Sequence, residues 1–133
     1  MIKVLVVDDS ALVRKLLGQV FSTTPEFKVE FARTGLEALS KVQDFNPDVV
    51  TLDVNMPEMD GLSCLDRIML DSPRPVVMVS SATAAGAEAT LEAMRLGAVD
   101  VIAKPSGAVS LDIHDIAPRL IATVRSAAGA KVG

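Results

Sequence analysis

Four groups of polar residues stand directly after short apolar runs, where their side chains could do chemistry together. In chain order they are Asp8-Asp9, Asp53, Ser80-Ser81 and Lys104-Pro105. Carboxylates that share a cleft need a cation to stay ionised, and their oxygens suit Mg²⁺. A carboxylate beside a divalent ion can act as the nucleophile that takes up a phosphoryl group, and a lysine opposite suits that group as a point charge. The residue types therefore predict phosphoryl chemistry at an acidic, Mg²⁺-binding site.

Each of these groups also has an ordinary explanation when it is taken alone. Asp8-Asp9 could begin a loop and cap a helix, and Asp53 could begin a turn. Ser80 could be a plain hydroxyl at a strand end, and Lys104 could be a solvated charge. A shared site is favoured because all of them follow predicted strands at the same end.

Apolar runs alternate with segments of helical period along the whole chain, which predicts five strand–helix units. The expected strands are Val4–Val7, Phe27–Ala32, Val49–Leu52, Pro75–Val79 and Val99–Ala103. Strict alternation predicts an α/β fold, with a doubly wound five-stranded parallel sheet in the order 2-1-3-4-5 and helices on both faces. Strands 1 and 3 are neighbours in that order. We therefore expect Asp8, Asp9 and Asp53 to converge beyond the carboxyl ends of the strands.

Several helix details follow from the same patterns. Ser10 is expected to cap the first helix, with Leu12 on its buried face. Ala87, Leu91 and Met94 are expected on the buried side of the fourth helix, which Gly97 is expected to close.

Composition excludes several classes of protein. The length of 133 residues suits one domain, expected over residues 1–125, with a linker or disordered tail beginning at 126–133. A net charge of −4 with no Trp or Tyr disfavours nucleic-acid binding. One cysteine, Cys64, cannot form an internal disulfide, and no apolar run approaches the length of a membrane span. We expect a cytoplasmic protein with no membrane insertion.

The motifs together resemble the receiver domain of two-component response regulators. The resemblance rests on Asp8-Asp9-Ser10, the segment Leu52–Gly61, Ser80 and Lys104-Pro105, and it covers essentially the whole chain. More narrowly, the chain resembles the N-terminal regulatory domain of the chemotaxis protein-glutamate methylesterase. That likeness lies in Val79–Thr83 with Gly86-Ala87, Gly97–Asp100 and Asp112–Asp115.

The resemblance implies a flavodoxin-like receiver fold and a role for each site residue. Asp53 would accept a phosphoryl group from a chemotaxis histidine kinase. Asp9, Asp53 and the backbone carbonyl of Asn55 would bind Mg²⁺, with Asp8 assisting through water. Ser80 and Lys104 would contact phosphoryl oxygens, and the Lys104-Pro105 bond is a candidate cis peptide.

The resemblance also implies partners. Phosphorylation would release a C-terminal methylesterase domain, through which the parent protein would act on chemoreceptors. This chain lacks a serine-hydrolase motif, so by itself it is expected to do no more than phosphorylate and dephosphorylate itself. One departure from the family is Val101, which stands where many receivers carry a switch Tyr or Phe.

Two alternatives stay open from the sequence. The first is a free-standing receiver, or the receiver of a DNA-binding regulator. The second is a small Mg²⁺-dependent phosphatase that forms an aspartyl phosphate. Such enzymes usually carry a second aspartate two residues after the nucleophile, where this chain has Asn55.

Overall fold

The computed structural model describes residues 1–54, 56, 59–80, 84–103 and 113–130, and strands and helices alternate through them. The strands are β1 (Ile2–Val7), β2 (Phe27–Ala32), β3 (Val49–Asp53), β4 (Val76–Ser80) and β5 (Asp100–Ala103). The helices are α1 (Ala11–Ser22), α2 (Gly35–Phe45), α3 (Gly61–Asp71), α4 (Ala84–Leu96) and α5 (Ile113–Ala128).

The five strands form one parallel sheet in the order β2-β1-β3-β4-β5, which confirms the predicted topology. In the β1–β3 pairing Val7 lies opposite Leu52, and in the β3–β4 pairing Asp53 lies opposite Val79. Parallel neighbours end at the same edge of a sheet, so this register brings the polar residues at the carboxyl ends of β1, β3 and β4 to one edge.

Two apolar cores cover the two faces of the sheet, and β1 supplies both. Its side chains alternate, as they must in a strand. Val4 and Val6 join the core under α1 and α5, whereas Leu5 and Val7 join the core under α2, α3 and α4. From Val4 to Val7 the strand is covered on both faces and has no polar position, which explains the continuous apolar sequence of that part.

The predicted helix ends are confirmed at both positions named from the sequence. Ser10 is the N-cap of α1, and its hydroxyl oxygen accepts a hydrogen bond from the Val13 N–H at 3.3 Å. Gly97 follows α4 with a φ of 112°, in the left-handed region that favours glycine at a helix C-terminus.

The predicted inner faces of α1 and α4 are wrong in part. Leu12 is 59% exposed, because the buried face of α1 is centred on Leu17, Val20 and Phe21. Leu91 and Met94 are 69% and 46% exposed, and Ala87 is exposed as well. The sheet is met instead by smaller residues of α4 such as Ala93, which is fully buried.

The last helix continues past the expected end of the domain. α5 is helical to Ala128, and Ala127 is buried in the core under α1 and α5. The boundary expected after residue 125 therefore falls inside α5. None of the helices in the described part of the chain combines the length and apolar character needed to cross a bilayer.

Candidate functional site

Two of the predicted carboxylates are buried side by side at the carboxyl edge of the sheet. Asp53 is the last residue of β3, and Asp8 directly follows β1. The Asp8 N–H continues the ladder to β2 by donating to the Ala32 carbonyl at 3.1 Å. Asp8 and Asp53 are each 2% exposed. The sheet register alone thus places the two acidic residues together.

Asp9 completes an acidic cluster with these two residues. One carboxylate oxygen from each of Asp8, Asp9 and Asp53 lies within 4.8 Å of the other two, and Asp9 is exposed to solvent. Like charges at this distance repel strongly where burial excludes water, and a divalent cation relieves that repulsion. The donor set contains only hard oxygen atoms, and its open side at Asp9 leaves room for water. These features fit Mg²⁺, which prefers carboxylates together with several retained waters.

The turn after β1 is fixed by hydrogen bonds to the carboxylate and to the backbone carbonyl of Asp8. The Ser10 N–H donates to Asp8 Oδ1 at 2.9 Å, and Arg14 Nη1 donates to the Asp8 carbonyl at 2.7 Å. Arg14 lies in α1 and is half-buried. The first helix therefore helps to fix the backbone from Asp8 to Asp9.

The backbone of Asp53 is packed directly against the start of α3. The Gly61 N–H donates to the Val54 carbonyl at 2.9 Å, and the Val54 N–H donates to the Val79 carbonyl at 3.1 Å. A Cβ atom on Gly61 would lie 2.1 Å from the Asp53 carbonyl oxygen, which is too close for any side chain. Asp60 caps α3 by accepting from the Ser63 N–H at 2.8 Å.

Ser80 ends β4 at the same edge and connects it to α4. Its side chain is almost entirely buried, and its hydroxyl donates to the Gly86 carbonyl at 3.3 Å. In the β3–β4 register Ser80 lies one residue beyond the partner of Asp53. Ser80 thus ends β4 where Asp53 ends β3, and its hydroxyl contacts the first turn of α4.

The comparisons with known proteins match this arrangement. The family model described as "Response regulator receiver domain" matches residues 4–114, which is most of the chain. The chain belongs to this family. The receiver domain is 63% identical over 132 residues to a protein-glutamate methylesterase/protein-glutamine glutaminase 2 of Rhodopseudomonas palustris (strain BisB18). The match covers 99% of this chain but only 36% of that relative, so the chain spans about a third of the relative's length.

Two solved receiver domains are similar to this chain over almost their whole length. The response regulator domain of Thermotoga maritima CheB superposes with a TM-score of 0.90 and 45% identity, covering 98% of each chain. The receiver domain of NtrX from Brucella abortus superposes with a TM-score of 0.82 and 32% identity, covering 96% of this chain and 99% of that one.

The structure brings together four of the site residues predicted from the sequence and leaves two untested. Asp8, Asp9, Asp53 and Ser80 lie at one edge of the sheet. Asn55 and Lys104, and with them the Lys104-Pro105 bond, lie outside the described residues. Ala103, which precedes Lys104 in the chain, pairs with Ser80 in the β4–β5 register. The predicted roles of Asn55 and Lys104 stay predictions.

Sequence reasoning did not predict several contacts and buried groups near the site. Arg14, Gly61 and Gly86 act on or through backbone atoms, and no residue type in the sequence shows which carbonyl lies nearby. Thr51 is 1% exposed and two residues before Asp53 on β3, hence on the same face. Its hydroxyl has no hydrogen-bond partner among the described residues. A threonine inside an apolar run is ordinary in a strand, so the sequence gives no signal of this burial.

Cys64 is confirmed as a buried side chain. It lies in α3, in the core under α2, α3 and α4. Burial raises the pKa of its thiol to about 11, and the charge of Asp60 adds to the effect. Its Sγ donates to the Gly35 carbonyl at 3.7 Å. A thiol of this kind is a poor nucleophile near neutral pH.

Proposed function

We propose that Asp53 accepts a phosphoryl group from a histidine kinase. Its position at the end of β3, inside the cluster with Asp8 and Asp9, is the observation that carries the proposal. A carboxylate oxygen of Asp53 forms a P–O bond while the P–N bond of the donor phosphohistidine breaks. The histidine nitrogen leaves with the electron pair of that bond and takes up a proton. The product is an acyl phosphate on Asp53.

The acidic cluster is the proposed site of a Mg²⁺ ion, held by Asp9, Asp53 and the carbonyl of Asn55, with Asp8 assisting through water. Bound there, the ion would neutralise charge that develops on the phosphoryl oxygens. Asp8 orients the turn before Asp9, because its carboxylate and its carbonyl are both fixed by hydrogen bonds. The β1–α1 turn therefore presents Asp9 at the open side of the cluster.

Ser80 and Lys104 are the proposed partners of the phosphoryl oxygens. Phosphorylation adds roughly −1.5 to −2 charge to an already acidic site, which a hydroxyl donor and an ammonium group offset. The position of Ser80 at the end of β4, one residue beyond the partner of Asp53, supports its part of this proposal. The pairing of Ala103 with Ser80 supports the other part, because Lys104 is the next residue in the chain.

The proposed output is control of an attached methylesterase domain. The relative from Rhodopseudomonas palustris carries that activity in its name, and this chain spans 36% of its length. Leu91 and Met94 give α4 an exposed apolar face, and α4 begins close to Ser80 in space. Val101 is only partly buried and packs against the core under α2, α3 and α4. In this proposal phosphorylation therefore changes the attached domain through α4, and not through an aromatic side chain at position 101. The full-length protein would then receive phosphate from a chemotaxis kinase and act on chemoreceptors.

Phosphorylation by a small phosphodonor tests the proposal. The chain is incubated with acetyl phosphate and Mg²⁺, and the phosphoryl adduct is measured by mass spectrometry and located by peptide mapping. We expect one adduct on Asp53, none in Asp53→Asn, and none after chelation of the metal. Asp66→Asn, which removes an exposed carboxylate of α3, is the matched control and should react like the unaltered chain. An adduct that persists in Asp53→Asn would contradict the assignment.

A further inference from the structure

Two hydroxyl groups converge on one backbone carbonyl in the first turn of α4. Ser80 Oγ donates to the Gly86 carbonyl at 3.3 Å, and Thr90 Oγ1 donates to the same oxygen at 2.8 Å. Ser80 and Gly86 are buried and Thr90 is partly buried. Water is therefore a poor substitute for either donor. The carbonyl of Gly86 links the end of β4, next to the acidic cluster, to α4.

Several hydrogen-bond donors compete for the carbonyl oxygen of Gly86. A carbonyl oxygen offers two lone pairs. Thr90 is four residues after Gly86 in an α-helix, so its backbone N–H also points at this oxygen. The Thr90 hydroxyl comes 0.5 Å closer than the Ser80 hydroxyl, which leaves Ser80 with the weaker of the two side-chain bonds.

This competition affects how readily Ser80 can turn. In the proposed function Ser80 donates to a phosphoryl oxygen on Asp53, so its bond to Gly86 must weaken or break. The tighter that bond is, the smaller the fraction of molecules in which Ser80 is available, and the weaker the apparent binding of a phosphoryl group. A second donor on Gly86 loosens Ser80 and keeps the carbonyl satisfied after Ser80 has left.

We propose that Thr90 is a positioning residue that acts through Ser80: its hydroxyl occupies the Gly86 carbonyl and leaves Ser80 poised for the phosphoryl group. The inference rests on the proposed role of Ser80, and it extends that role to a residue of α4 outside the acidic cluster. Thr90 also lies one residue before Leu91, so the same turn of α4 carries both the hydroxyl and the exposed apolar face.

Binding of beryllofluoride, an analogue of the phosphoryl group, tests the proposal in the presence of Mg²⁺. We expect Thr90→Val to weaken apparent beryllofluoride affinity by ~2- to 10-fold, the scale of one hydrogen bond. Thr90→Ser keeps the donor and should restore affinity to within about twofold. Thr123→Val, a matched change in α5, should have no effect. Mg²⁺ affinity without beryllofluoride, measured by calorimetry, should be the same in all these variants, which a general loss of structure would not allow.

A double-mutant cycle tests whether Thr90 acts through Ser80, separately from the proposed phosphorylation of Asp53. In a Ser80→Ala background the Thr90 substitution should have no further effect, because the hydroxyl on which it acts is gone. Equal affinity in Thr90→Val and the unaltered chain, or independent effects of the two substitutions, would overturn the inference while leaving Asp53 as the phosphoacceptor. Failure of the unaltered chain to bind beryllofluoride, or equal binding by Asp53→Asn, would overturn the proposed function and the inference together. If Thr90→Val does not fold, Thr90→Ala replaces it with the same expectation.

Discussion

At the scale of single residues, the acidic cluster combines burial with like charge. Asp8 and Asp53 lose water on folding, and their charges then interact through a medium that screens them poorly. The fold holds these side chains in place through the sheet register and the turn after β1, both of which are fixed by backbone hydrogen bonds. A divalent cation bound to the cluster would relieve this repulsion between like charges.

We therefore expect Asp8→Asn to separate stability from metal binding. Asparagine can still accept from the Ser10 N–H, but it removes one negative charge from the cluster. Without metal the free energy of unfolding should rise by about 1 kcal/mol, and the further stabilisation by Mg²⁺ should be largely lost. Urea unfolding with and without Mg²⁺ measures both effects. A metal-free Asp8→Asn less stable than the unaltered chain would contradict this electrostatic account.

Thr51 provides a second prediction at this scale. Its buried hydroxyl has no partner among the described residues, so Thr51→Val should raise the free energy of unfolding by about 1 kcal/mol. Thr34→Val is the contrasting control. The Thr34 hydroxyl caps α2 by accepting from the Glu37 N–H at 3.1 Å, and its loss should cost about 1 kcal/mol. Urea unfolding measures both variants, and destabilisation of Thr51→Val would show that the hydroxyl is hydrogen-bonded in solution.

The site residues that could be predicted from the sequence are those whose side chains can themselves bind a metal ion or a phosphoryl group. Asp8, Asp9, Asp53 and Ser80 were predictable because strand ends in a parallel sheet meet at one edge, and the ordinary explanation of each residue alone does not account for all of them standing at that edge. Arg14 and Thr90 were not, because each acts on a backbone carbonyl whose position depends on the path of a loop or a turn.

At the scale of elements, α4 shows where hydrophobic patterning misleads. The helix is apolar on two faces, so periodicity alone favours the face with the larger side chains, Leu91 and Met94. The structure buries Ala93 and Gly86 instead, which lets the helix approach the sheet closely. Strand order, by contrast, could be predicted, because alternation of strands and helices restricts parallel sheets to few topologies.

The contact between α3 and β3 gives a prediction at this scale. Gly61→Ala would place a methyl group 2.1 Å from the Asp53 carbonyl oxygen, so the helix or the strand end must shift. We expect a loss of about 1–3 kcal/mol in the free energy of unfolding and slower phosphorylation of Asp53. Gly129→Ala is the control, since its Cβ would meet only the Ser126 carbonyl at 3.8 Å. A Gly61→Ala variant with normal stability and reactivity would show that this contact does not position Asp53.

At the scale of the whole molecule, an ion pair joins distant parts of the chain. Arg125 near the end of α5 donates to both carboxylate oxygens of Glu26, which directly precedes β2. The hydrogen bond from Arg125 holds the pKa of Glu26 below its ordinary value of 4.5. A carboxylate whose pKa is lower in the folded state adds stability above its unfolded pKa, and that stability disappears as the pH falls through the folded pKa.

The stability lost in Glu26→Gln should therefore depend on pH. The difference in free energy of unfolding between the unaltered chain and Glu26→Gln should be constant from neutral pH down to about 4.5, then shrink below it. Urea unfolding over a pH series measures the difference. Glu92→Gln, which removes a carboxylate paired with Arg95 in the same helix, is the control. A difference that grows on acidification would have the wrong sign for this ion pair.

The packing of α5 against α1 has a consequence for the order of synthesis. The core on that face contains Val4 and Phe21 from the beginning of the chain and Leu120 and Val124 from near its end. A ribosome that has made β1 through β4 has therefore produced an apolar face that α1 covers only in part, because α5 has not yet been made. The opposite face, under α2, α3 and α4, can close earlier as each helix emerges. The cores on the two faces of the sheet should thus form at different times. The core that contains Val4 and Phe21 is complete only when α5, the last helix, packs against it.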